Sequence, residues 1–137
     1  NYVREGLERG KKITGAQYAK AMAALWEFKA RMEDFFETYD LLLGPTMAVP
    51  AFPVGQPPSK IGGRDVDPQW GYSAFTATFN ITGNPAASVP CGFSSDGLPI
   101  GLHVIGRWGD EVTVLRPSAA LERAKPWADK RPALASI

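Results

Sequence analysis

The chain carries one imidazole, His103, and one thiol, Cys91. In acyl-transfer chemistry a hydroxyl or thiol attacks a carbonyl while a neighbouring base takes its proton. Ser94 and Ser95 could meet His103 across a hairpin in that way. No G-x-S-x-G elbow and no S-x-x-K sequence accompanies them. His103 reads otherwise as a strand residue on the face opposite Leu102 and Val104, bonded to a neighbour. Cys91 sits between Pro90 and Gly92 with no base at hand, and reads as a small buried apolar side chain. One His, one Cys and the helix-surface acids Glu33, Asp34 and Glu37 do not make a metal-ligand cluster. Gly62-Gly63 followed by Arg64 could hold an anion, although two loop glycines do not specify one. The residues therefore assign no catalytic group, no metal and no cofactor. What they offer is pocket wall: Trp70, Tyr72 and Ser73 open a helix directly after the one long loop.

The elements that would position these groups can be read in order. Residues 1–12 are polar and charged and read as a frayed lead-in. Thr14-Gly15-Ala16-Gln17 fits a capping box. A helix should run from there to about Thr38, with Tyr18, Met22, Leu25, Phe28, Met32, Phe35 and Phe36 forming one apolar stripe. Asp40-Leu41-Leu42-Leu43 reads as a short buried strand ended by Gly44-Pro45. A proline-rich loop covers about residues 44–69, long enough to be a lid or a binding loop. Trp70 to Ile81 reads as a helix, closed by Gly83-Asn84-Pro85. Ala87 to Cys91 is the next strand, and Pro90, lacking a donor, predicts a sheet edge or a ladder interruption. Asp96-Gly97 turns the chain into Leu98–Ile105, where Leu98, Ile100, Leu102 and Val104 share a face. Asp110 can cap a last helix with Val112, Leu115, Ala119 and Leu121 as its apolar positions. Pro117 predicts a kink or a restart there. The tail after Arg123 is rich in proline and charge.

Composition narrows the functional classes. At 137 residues the chain is one domain's worth, and its 45% apolar content is that of a globular chain. A formal net charge of +1 gives no reason to expect nucleic acid or an anionic membrane as partner. No apolar run approaches membrane-spanning length, and no signal segment opens the chain. With a single cysteine, these features lead to a cytoplasmic expectation. Asn80-Ile81-Thr82 matches a glycosylation sequon and, without a secretory signal, is read as chance. The chain opens on Asn1 rather than Met, which suggests a piece of something longer.

Several runs taken together resemble the amidase signature family. Asp40-Leu41-Leu42-Leu43-Gly44-Pro45-Thr46 is similar to its strand and proline-rich loop. Phe75-Thr76, with Asn80-Ile81-Thr82-Gly83-Asn84-Pro85-Ala86, is similar to its Phe-Thr…Asn-x-Thr-Gly-x-Pro-Ala run. Ser88-Val89-Pro90-Cys91-Gly92 and Gly97-Leu98-Pro99-Ile100-Gly101-Leu102 resemble two late strands. Asp110-Glu111 and Ala119-Ala120-Leu121-Glu122 resemble its last helix. These runs stand in the family's order and spacing, from the Thr14 helix to Glu122.

The resemblance implies an α/β fold: part of a mixed sheet flanked by helices, with a long N-terminal helix, short strands and a C-terminal helix, incomplete on its own. Residues 1–137 would form a single C-terminal amidase-like domain. It further implies a parent that hydrolyses carboxylic amides with a Ser–cis-Ser–Lys triad lying upstream of the matched region. None of this chain's serines or lysines falls on those positions. By the same resemblance, Trp70, Tyr72, Ser73 and Thr76 belong to a region that contacts a small-molecule amide substrate. Ser73 stands where the glutamine-dependent amidotransferase branch has Asp, which points towards less charged or bulkier amides. His103 stands where Gln is common. Association with the upstream part, or oligomerisation, is expected. The rival readings are a non-catalytic binding module on an amidase-derived scaffold, and a single-domain enzyme using Cys91 or His103.

Overall fold

The structure, a computed structural model, describes residues 2–131. Asn1 and the end of the proline-rich tail, residues 132–137, lie outside the described residues. The expected lead-in is helical instead: α1 spans Tyr2–Gly10. Val3 and Leu7 stand one turn apart, and the Glu8–Lys11 ion pair, 2.8 Å, closes its end. Gly6, Gly10 and the density of charge hide this helix in the sequence.

Helix α2, Gly15–Thr38, starts where the capping box places it. The Gln17 amide donates to Thr14 Oγ1 at 3.2 Å, and the Thr14 amide donates to Gln17 Oε1 at 2.9 Å. Only the C-terminal part of its apolar stripe is bedded. Phe36 is buried, with Met32 and Phe35 beside it, whereas Met22, Leu25 and Phe28 are half-buried and Tyr18 is exposed.

Three strands form the main sheet in the order β1–β5–β4, antiparallel throughout: β1 Leu41–Pro45, β4 Ala86–Phe93 and β5 Pro99–Gly106. β5 is central because both its faces are apolar. Ile105 meets Phe36 and Phe79 on one face; Val104 meets Val89 and Val114 on the other. β1 is less buried than its leucines suggest, since Leu43 is 55% exposed. Among the described strands β4 is an edge, as Pro90 predicts. Its ladder is interrupted between Pro90 and Gly92, with Cys91 as the extra residue of a bulge.

The long loop contains a small hairpin, β2 Lys60–Ile61 and β3 Arg64–Asp65. Gly62 and Gly63 connect them with φ of 56° and 77°, the left-handed pair a two-residue hairpin turn requires. Their role in the sequence is thus the turn itself. A single 3₁₀ turn, Gly71–Ser73, leads into α3, Ala74–Thr82, which Gly83 ends in the left-handed conformation.

Helix α4, Glu111–Ala124, covers the other face of the sheet and runs unbroken through Pro117. The Ser118 hydroxyl donates to Val114 O at 2.7 Å in the turn around the proline. Its buried positions are Val114 and, partly, Leu121; the expected Val112 and Leu115 are exposed. The Asp110 cap sets the helix start, as the Thr113 amide donates to Asp110 Oδ1 at 3.2 Å. The result is α2 and α3 on one side of the sheet and α4 on the other.

Candidate functional site

The polar side chains of the sheet and its turns are committed to structure. His103 is 6% exposed and meets the Phe79 ring edge-on, with centroids 5.3 Å apart. Its neighbour is a phenyl ring, and desolvation by burial holds the imidazole below its ordinary pKa, favouring the neutral form. The expected meeting with Ser94 and Ser95 does not occur. The register places Ser88, not the turn serines, opposite His103. Ser94 Oγ instead accepts from the Leu98 amide at 3.1 Å, closing the hairpin. The Cys91 thiol is half-buried and faces Ile100 O at 3.5 Å. Among the described residues no group of His, Cys, Asp or Glu is placed to hold a metal ion.

The four residues expected to line a pocket are brought together in one turn at the start of α3. Trp70 is 56% exposed. The Ser73 hydroxyl donates to Trp70 O at 2.9 Å, and the Thr76 hydroxyl donates to Ser73 O at 3.0 Å. Each hydroxyl therefore spends its proton on the backbone and keeps acceptor capacity only. Tyr72 is half-buried and ties the long loop down. Its carbonyl accepts from the Ala48 amide at 3.1 Å, and its ring meets Phe52 at 5.0 Å and 70°.

The loop fastened in this way walls a cleft of about 380 Å³. Met47, Val49 and Phe52 form one side, and Ile100 and Gly101 at the start of β5 the other. Beside it, Thr46 Oγ1 and Ser88 Oγ lie 2.7 Å apart. Among the described residues no charged side chain lines the cleft. It can therefore offer apolar contact and backbone hydrogen bonds, with no ionic recognition. Trp70, Ser73 and Thr76 are not among its lining residues; Tyr72 adjoins it through Ala48 and Phe52. In the sequence, the trace of this wall is the apolar runs Met47-Ala48-Val49 and Ala51-Phe52, separated by Pro50 and ended by Pro53.

The sequence model of the Amidase family matches residues 1–115. The acylamidase of Rhodococcus erythropolis is 36% identical over 134 residues, which cover 97% of this chain and 28% of the relative. A glutamyl-tRNA(Gln) amidotransferase chain of Geobacillus stearothermophilus is 42% identical over 121 residues, 87% of this chain and 23% of that protein. Among solved structures, a bacterial aryl acylamidase of the amidase signature family matches with a TM-score of 0.82 at 33% identity, covering 96% of this chain and 29% of that one. A 6-aminohexanoate cyclic dimer hydrolase complexed with substrate matches with a TM-score of 0.81 at 33% identity, over 95% of this chain and 29% of that one. The chain spans less than a third of the length of each of these relatives. The family model matches well over half of this chain, and the chain belongs to the amidase family.

Proposed function

We propose that this chain is the C-terminal portion of an enzyme that hydrolyses a carboxylic amide C–N bond, and that it supplies substrate-pocket wall rather than the reacting groups. The observation that supports this most is the state of its own nucleophile and base candidates. His103 is turned against Phe79, Ser94 is spent on the hairpin, and Cys91 has no base beside it among its described contacts. The chemistry then falls to a Ser–cis-Ser–Lys triad upstream, as the family resemblance implies. Trp70, Tyr72, Ser73 and Thr76, with the loop over residues 44–69, would bound the substrate. Ser73 contributes an uncharged hydroxyl, which suits neutral or bulky amides better than a substrate carrying an ammonium group.

The test is turnover by the purified 137-residue chain on simple aliphatic and aryl amides. The rate should equal that of buffer, since loss of a whole nucleophile–base unit forfeits about 10⁶ in rate. Turnover that Cys91→Ala or His103→Ala abolishes would transfer the chemistry to this chain and end the reading.

A further inference from the structure

The segment after α4 turns back beneath the β4–β5 hairpin. The Lys130 amide donates to Trp127 O at 2.8 Å, and the Trp127 ring packs on the cluster of Val89, Val104 and Val114. Between this turn and the hairpin tip lies a groove of about 610 Å³. Phe93, Leu98, Pro99 and Trp127 wall it, and Lys130 and Arg131 stand at its rim. A smaller hollow of about 230 Å³ continues it past Phe93 and Trp127 to Lys125. Among the described residues no acidic side chain lines either space.

The two rim cations remain available. Lys130 pairs with Asp129 at 3.3 Å, but both side chains are exposed and such a pair is weak. An ammonium also keeps further donors beyond one partner. Arg131 gives its Nε–H to Ala128 O at 3.2 Å, which leaves its Nη donors for a ligand. Two aromatic walls favour a ring or an alkyl chain lying between them. Cations along one side, with Asp129 outside the groove's lining and only in an exposed pair with Lys130, favour a negative end there. The volume is that of a small organic ligand.

We propose that this groove is a second ligand site, which takes an amphipathic organic carboxylate: an aryl or short alkyl body against Phe93 and Trp127, with its carboxylate on Lys130 and Arg131. The site is separate from the Trp70–Thr76 turn and does not depend on the amide-hydrolysis reading.

Isothermal titration of 4-phenylbutyrate and of 4-phenylbutanol into the protein tests it, because the two probes share a body and differ in charge. The acid should bind saturably at one site with a Kd of about 1 mM or tighter. The alcohol should bind about tenfold more weakly, and Lys130→Ala/Arg131→Ala should weaken the acid by a similar factor without changing the alcohol. Both substituted residues are exposed, so an unchanged melting temperature certifies the variant. Absence of saturable binding, equal affinity for acid and alcohol, or unchanged affinity in the double variant would each overturn the site.

Discussion

Thr46 Oγ1 and Ser88 Oγ lie 2.7 Å apart and span β5 above Gly101, joining the end of β1 to β4, two strands that share no ladder. A Cβ on Gly101 would sit 2.5 Å from Ser88 Oγ, 2.7 Å from Thr46 Oγ1 and 3.2 Å from Thr46 Cβ. The glycine is the space in which the two hydroxyls meet. Gly101→Ala should therefore destabilise the fold by about 1–3 kcal/mol, because Thr46 is stiff at χ1 and cannot simply turn away. Ser88→Ala in the same chain should restore part of the loss. Urea denaturation of the single and double variants reads the coupling, and strict additivity would show that the hydroxyls do not share that space.

His103 links stability to pH. Burial lowers its folded-state pKa, so between that value and the ordinary 6.5 the unfolded chain binds more protons. The stabilising contribution is whole above 6.5 and is lost as pH falls towards the folded-state pKa, below which it no longer changes. The melting temperature should drop on acidification from neutral pH through that window. His103→Gln should flatten the drop. A profile identical in both proteins would assign the pH dependence elsewhere.

Arg107 Nη2 and Nε donate to Phe36 O at 2.6 and 3.2 Å, across 71 residues of chain. This fork holds the end of α2 to the end of β5. Arg107→Ala should cost about 1.5–3 kcal/mol, as a charge-assisted bond is lost and the carbonyl is left half-buried. Arg107→Lys should recover only part, for want of the planar fork. Thermal unfolding of the two variants measures the difference.

In an active enzyme carrying this chain, Trp70→Ala should alter relative kcat/KM among amides with little change in melting temperature, since the side chain is largely exposed. Tyr72→Ala should instead lower stability by about 2–4 kcal/mol, because its ring seats Phe52 and the loop above it. Ser73→Asp should raise preference for amides bearing a nearby ammonium group. An unchanged ratio between neutral and cationic amides would remove Ser73 from substrate contact.

Local constraints were the legible part of this fold. Thr14 with Gln17, Gly83 before Asn84-Pro85, and Pro90 each act on their own few residues, and each appears where the sequence places it. The features that depend on distant partners were not legible. Val112 and Leu115 are as apolar as Val114, but it is Val114 that fills the space left by Gly106, where a Cβ would stand 2.6 Å from Val114 Cγ2, and that packs on Val89 and Val104. The candidate site divides in the same way. The Trp70–Thr76 turn is contiguous in sequence, whereas the cleft beside it joins Met47–Phe52 to Ile100, a pairing set by the sheet register.

Of the three strands in the main sheet, β5 is the last to be synthesised and the middle one in space. Among the described strands, β1 and β4 find their shared partner only once Pro99–Gly106 has been made, and until then Phe36 lacks Ile105 and Val89 lacks Val104. The β4–β5 arm then zips locally across the Ser94–Leu98 turn, whereas the β1–β5 arm must close the whole stretch between Pro45 and Pro99, a step governed by loop entropy. A chain that stops before Pro99 would leave β1 and β4 without their shared partner, an exposure of strand edge that favours aggregation.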